Sequence, residues 1–178
     1  MLVKSLKLIS RQSGTTFPEI KNEKIISVAD KRDGSMITFV DIGDKVYAKS
    51  KFSFQSEQAL TAQKIYDTNP GIKRYVDECL KYEVQPFFEL TSPMNQIVLH
   101  YPVTELKVIQ VRDLRNGEYQ EMSETYRYYV ESKFNVYFAE QLDVETYTFD
   151  YMMKERETRE GIEGWVVTTN KWMYKIKC

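Results

Sequence analysis

The sequence predicts an α+β fold dominated by antiparallel strands, and three observations predict it. Short apolar runs of strand length recur along the chain, bounded by Gly, Pro, Asn and Asp. Segments with apolar residues at helical spacing fall in groups between runs of strands. Asp33-Gly34 and Asn116-Gly117 supply turn signals inside the strand-rich stretches. The 178 residues are the length of one domain, and 42% apolar content with 13 tyrosines and 9 phenylalanines is enough for a sizeable core.

In order along the chain, residues 3–10 read as a strand, and residues 13–22, with Gly14 and Pro18, as a loop. Residues 25–29 and 36–42 are apolar runs on either side of Asp33-Gly34, the pattern of a β-hairpin. Residues 46–51 give a third strand. Ser56 is placed to cap a helix over 57–66. Pro70-Gly71 interrupts it, and 72–80 forms a second helix. Residues 84–90 and 97–101 are strands around a loop with Pro93 and Asn95, and 106–111 is another. Residues 121–134 and 145–154 carry helical spacing. The charge run 154–159 reads as a solvated helix end or loop. Strands over 165–168 and 172–176 close the chain across Asn170-Lys171.

Composition removes several function classes. The net charge is −1, so the chain either holds nucleic acid through one local basic patch or leaves most of that binding to other segments. Cys79 and Cys178 lack the spacing of a metal site or a disulfide framework and point to a reducing compartment. With the single histidine His100, best read as a strand residue, no multi-histidine metal site is possible. No stretch approaches the ~20 apolar residues of a membrane span, and no signal-peptide pattern opens the chain. The expected location is the cytoplasm, with no membrane partner.

Chemistry must then run on lysines, carboxylates and hydroxyls. Lys31 stands two residues before Asp33-Gly34, where a turn would display it. A lysine ammonium becomes a nucleophile only after desolvation, a neighbouring cation or a metal favours loss of its proton. Lys175 and Lys177 flank Ile176, so both point to one face of a strand, either to solvent or to bound phosphate. Glu89 interrupts the apolar run Pro86-Phe87-Phe88-Glu89-Leu90, where a carboxylate needs a partner, a cleft or a solvent-facing register. Glu163-Gly164 precedes the apolar strand with Val166; Gly164 would let a ligand approach the backbone, and Val166 would offer an apolar face to a base. Lys49 and Lys51 alternate along one strand face, as a solvated pair or as point-charge contacts for phosphates.

The order Lys31-Arg32-Asp33-Gly34-Ser35, Phe88-Glu89-Leu90, Glu163-Gly164-Trp165-Val166, Lys175-Ile176-Lys177 resembles the covalent nucleotidyltransferase superfamily of RNA ligases, DNA ligases and capping enzymes. Within it the chain is similar to the bacteriophage RNA ligase 1 family, the T-even phage type that repairs cut tRNA. That likeness adds Lys49-Ser50-Lys51 with Ser56-Glu57-Gln58-Ala59, and residues 93–99. Many DNA ligases carry arginine two positions after the motif glycine; here it is Met36.

The resemblance implies an antiparallel-sheet nucleotidyltransferase, an ATP-grasp-like ligase adenylation domain with flanking helices, spanning residues 1–178 as one domain. It implies an ATP-dependent RNA ligase with Mg2+ (or Mn2+), acting on RNA with 5′-phosphate and 3′-hydroxyl ends. Lys31 would be the nucleophile. Asp33, Gly34, Lys49, Lys51, Glu89, Val166, Lys175 and Lys177 would bind the nucleotide, Glu89 through the ribose, Val166 beside adenine, and Lys175 and Lys177 at the α-phosphate. Glu163 would contact metal. A monomer in the cytoplasm of an infected cell is expected. The alternatives are a DNA ligase or GTP-using capping enzyme, or a non-catalytic binding remnant. The family also has an upstream arginine-bearing segment and a helical C-terminal domain, neither of which is visible in the chain, and Gln96 stands at its usual arginine position.

Overall fold

The computed structural model describes residues 7–9, 23–93, 102–159, 162–170 and 172–178. In chain order the strands are β1 (Lys7–Ile9), β2 (Ile25–Asp30), β3 (Ser35–Ile42), β4 (Lys45–Ser50), β5 (Val84–Thr91), β6 (Glu105–Asp113), β7 (Gln141–Leu142), β8 (Gly164–Thr169) and β9 (Met173–Lys177). The helices are α1 (Glu57–Thr68), α2 (Pro70–Lys81), α3 (Glu124–Phe134) and α4 (Phe149–Glu155). The expected loop over 13–22 and strand over 97–101, with His100, lie outside the described residues. The chain divides into two compact units, one of residues 1–31 and 140–178, the other of residues 32–139.

The first unit holds a five-stranded sheet in the order β1-β9-β8-β2-β7. β1 runs parallel to β9, and the other pairs are antiparallel. Alternation along the strands sends Val28, Trp165, Val167, Tyr174 and Ile176 to one face, where Phe149 and Met152 of α4 complete a core. The Thr148 hydroxyl caps α4 by accepting the Tyr151 N–H at 3.3 Å. The helix begins four residues later than its spacing predicts, because Asp143 accepts the N–H groups of Glu145 and Thr146 and turns the chain first.

The second unit holds the antiparallel sheet β4-β3-β5-β6. One face, with Ile37, Phe39, Ala48, Phe88, Leu90, Leu106 and Val108, packs on α1, α2 and α3 through Ala62, Tyr66, Ile72, Tyr75, Val76, Val130 and Phe134. Ser56 caps α1 as expected. The break at Pro70 is present, with α1 ending at Thr68, but Pro70 is itself the first residue of α2, which starts two residues earlier than expected. Asn69 ends one helix through its N–H to Ile65 C=O and starts the next by accepting the Gly71 and Ile72 N–H groups.

The predicted hairpin around Asp33-Gly34 is wrong, although both strands exist. β2 pairs with β7 and β8, and β3 pairs with β4 and β5. Lys31 N–H extends the β2–β8 ladder by donating to Gly164 C=O at 3.0 Å. Gly34 is not among the glycines with left-handed φ. It is small because a Cβ there would lie 2.3 Å from the Leu90 carbonyl oxygen of β5. The real hairpin is β3–β4, turning on Gly43 (φ 58°) and Asp44 (φ 69°), the pair of positive φ values of a type I′ turn.

Candidate active site

In the first unit the pairing of β8 with β9 sets Val166 opposite Lys175 and Gly164 opposite Lys177. Since Trp165, Val167, Tyr174 and Ile176 face the α4 core, Val166, Lys175 and Lys177 share the other face, with Ala29 of β2 opposite Val166. The shared face expected for the two lysines is therefore present. Lys31 follows β2 directly, and its ammonium is ion-paired with Glu163 Oε1. Lys177 Nζ approaches the same oxygen at 3.5 Å. Glu163 Oε2 is buried and has no hydrogen-bond partner. One carboxylate thus sits between two ammonium groups and keeps a second oxygen unsatisfied, a costly arrangement for a buried polar atom.

Gly164 brings these groups together in a way that differs from expectation. Its φ is +132°, and a Cβ would lie 1.9 Å from the Ile176 carbonyl oxygen and 2.9 Å from Lys177 Cα. The space beside Gly164 is taken by the β9 backbone and not left for a ligand. Close approach of β8 and β9 is what sets Glu163 beside Lys177, and Cys178 N–H reaches the Glu163 carbonyl at 3.3 Å.

In the second unit Asp33 and Glu89 are both buried, which excludes a solvent-facing role for Glu89. Glu89 lies opposite Met36 on one side and Lys107 on the other. Its neighbours Phe88 and Leu90 face the helix-packed core, so Glu89 faces away from it. Lys49, opposite Thr38, shares that face with Glu89 by strand alternation. Its ammonium donates to the carbonyls of Ser50 and Lys51 at 3.2 and 3.1 Å. Lys51 does not alternate with it on a strand: β4 ends at Ser50, and Lys51 belongs to the connection that follows.

Arg32, Glu105 and Lys107, to which the motifs assign no role, stand here as well. Arg32 Nη1 donates to Glu105 Oε1 at 2.9 Å, and Lys107 Nζ lies 3.4 Å from that oxygen. The signal was legible as Glu105-Leu106-Lys107, two opposite charges on one strand face. The consecutive residues Lys31 and Arg32 are each anchored by a carboxylate, Glu163 and Glu105, of their own unit.

The comparisons agree with this architecture. The model of an RNA ligase family matches residues 9–178, running through both units. A Thermovibrio ammonificans protein named "Putative RNA ligase" is 28% identical over 106 residues, which are 57% of this chain and 28% of that protein. Naegleria gruberi RNA ligase has a similar fold. A glutamate-to-alanine variant with AMP and Mn matches at TM-score 0.62 and 16% identity, over 90% of this chain and 52% of that one. A lysine-to-alanine variant with ATP and Mn matches at 0.61 and 15% identity, over 89% and 51%. The chain spans about half the length of these solved relatives. With strand order, helix placement and a family match over nearly its whole length, the chain belongs to the RNA ligase family.

Proposed function

We propose that the chain is the adenylyltransferase core of an ATP-dependent RNA ligase, its two units acting as one nucleotidyltransferase domain. The observation that carries this is the Lys31–Glu163–Lys177 cluster, a buried lysine held by a carboxylate that a second lysine also approaches. The neutral Lys31 Nζ attacks the α-phosphorus of ATP. The bond to the bridging oxygen breaks, pyrophosphate leaves, and AMP stays on Nζ as a phosphoramidate. A 5′-phosphate oxygen of RNA then takes AMP from the lysine, and a 3′-hydroxyl displaces AMP as the phosphodiester forms. Glu163 Oε1 orients Nζ and is the nearest carboxylate to accept its proton. Lys175 and Lys177 meet the negative charge that gathers on the α-phosphate. Val166 flanks the base, and Glu89 accepts from a ribose hydroxyl. Asp33 and Gly34 shape the segment that follows the nucleophile, and Lys49 and Lys51 bear on phosphates.

The residues fit a divalent metal only in company with phosphate. Glu163 Oε2 is a buried oxygen without a partner, suited to a metal or its water. Among the described residues no group of three His, Cys, Asp or Glu could hold the ion alone. Such an ion, Mg2+ or Mn2+, supplies offset of phosphate charge and alignment of the leaving pyrophosphate.

The partner is RNA with 5′-phosphate and 3′-hydroxyl ends, and the motif resemblance favours the phage tRNA-repair type. Among the described residues no helix is long and apolar enough to cross a membrane; we assign the chain to the cytoplasm, as a monomer. The test is incubation with ATP labelled at the α-phosphate, with GTP as competitor. Stable label on Lys31, whose formation is suppressed by excess unlabelled ATP and not by GTP, is the expected result. Preference for GTP moves the reading to capping enzymes, and no label defeats it.

A further inference from the structure

Residues 49–54, Lys-Ser-Lys-Phe-Ser-Phe, interleave two lysines with two phenylalanines. They leave the end of β4 and lead to α1. The connection is held firmly. The Ser50 N–H and hydroxyl both donate to the Ser53 carbonyl, at 2.9 and 3.0 Å, and the Ser53 N–H donates back to Ser50 Oγ at 3.2 Å. The Ser56 hydroxyl donates to Ser50 Oγ at 3.0 Å and accepts the Ala59 N–H at 3.2 Å, which ties the turn to the start of α1. At the tip Phe52 is 86% exposed. A phenylalanine so far out of the core stands at the tip of a turn whose flanking serines are tied by hydrogen bonds.

Its surroundings are cationic. Lys51 Nζ lies over the Phe52 ring, 5.0 Å from the centroid, and Lys49 Nζ lies 5.8 Å from the centroid of the half-exposed Phe54. Residues 45–56 carry three lysines and no carboxylate, in a chain whose net charge is −1. An exposed ring beside ammonium groups is the pairing that single-stranded nucleic acid needs, since every base has a stacking face and every linkage a negative phosphate. A duplex keeps its base faces stacked on each other and has none to offer the ring.

We propose that Phe52 is a stacking platform for an unpaired base of single-stranded RNA, with Lys51 set for the adjoining phosphate. The choice of RNA as the strand rests on the ligase reading above. On that reading the Phe52 ring holds the RNA that accepts AMP and takes no part in the attack on ATP.

The test measures binding of a fluorescent oligoadenylate and of an abasic ribose-phosphate strand of equal length to the full chain. Phe52→Ala weakens the oligoadenylate Kd by about 5- to 150-fold, the range for loss of one stacked base. Phe52→Trp restores it. The abasic strand binds wild type and Phe52→Ala alike, and the salt slope of binding is unchanged, because no cation is lost. Unchanged oligoadenylate affinity in Phe52→Ala overturns the proposal. So does an equal loss on the abasic strand, which would mean collapse of the turn, or a wild-type chain with no affinity for oligoadenylate. Labelling of the same proteins with ATP alone separates the two ideas. A chain that labels but fails the RNA test refutes only the platform. A chain that does not label refutes the ligase reading, while the binding comparison still decides the platform.

Discussion

Replacing Glu163 by alanine removes the anion that Lys31 and Lys177 share. The Lys31 side chain is 7% exposed and that of Glu163 11%, so the ammonium left behind sits out of water without its counter-charge. Lys177 is 49% exposed and 3.5 Å away, and its pairing adds less than about 1 kcal/mol. Breaking a buried pair by removing one partner costs about 3–5 kcal/mol. Glu163 Oε2 is already desolvated without compensation, which sets the expectation at the lower end, about 3 kcal/mol. Urea unfolding followed by the fluorescence of the buried Trp165 is a direct assay. At a typical slope of about 2 kcal/mol/M, the midpoint falls by about 1.5 M. A double-mutant cycle with Lys31→Met isolates the pair. Methionine removes the stranded ammonium, so Glu163→Ala should then cost about 1 kcal/mol or less, a coupling of about 2 kcal/mol. Additive costs, with coupling below about 0.5 kcal/mol, refute the claim that Glu163 holds the Lys31 charge.

Three further outcomes are expected. Lys177→Met, which removes one charge-stabilising donor, slows self-adenylylation by ~10²–10³ and leaves the unfolding midpoint nearly unchanged; an unaltered rate returns Lys177 to a solvated edge. Gly164→Ala drives a Cβ into the Ile176 carbonyl at 1.9 Å and strains φ at +132°, so it destabilises by about 3 kcal/mol or more, and a wild-type midpoint contradicts that geometry. Hydrogen bonds from Arg115, first its side chain and then its backbone N–H, hold the Asp113 carboxyl down to about 2. A depressed folded-state pKa means this contribution is present above the ordinary value near ~3.9 and is lost as pH falls through about 2. Carboxyl NMR titration should show Asp113 rising toward the ordinary value in Arg115→Ala; no rise would remove Arg115 as the cause.

Most of the strands were legible because their information is local. The apolar runs at 25–29, 36–42, 84–90 and 165–168 each became a strand within a residue or two. Ser56 capped its helix because an N-cap needs only the following turn. What failed was pairing. Asp33-Gly34 looked like a turn between adjacent strands, but β2 pairs with β8, more than 130 residues later, and no local signal carries that information. Gly34 makes room for the backbone of β5, which comes much later in the chain, whereas Gly164 makes room for β9, the very next strand. Gly164 reads as open to a ligand because the sequence does not show which side of a strand glycine the neighbouring backbone occupies. The shared face of Lys175 and Lys177 was legible, since alternation is local, whereas the Lys31–Glu163 pair depended on the β2–β8 ladder. Gly43-Asp44 was a turn signal as strong as Asp33-Gly34, and that turn closes the hairpin that exists.

The central claim is that Lys31 carries AMP. Incubation of the full chain with ATP and Mg2+, followed by intact-mass and peptide-level mass spectrometry, tests it most directly. A single AMP adduct on Lys31, absent from Lys31→Ala while that variant keeps its cooperative unfolding, is the result the account requires. An adduct on any other lysine, or one that persists in Lys31→Ala, contradicts it.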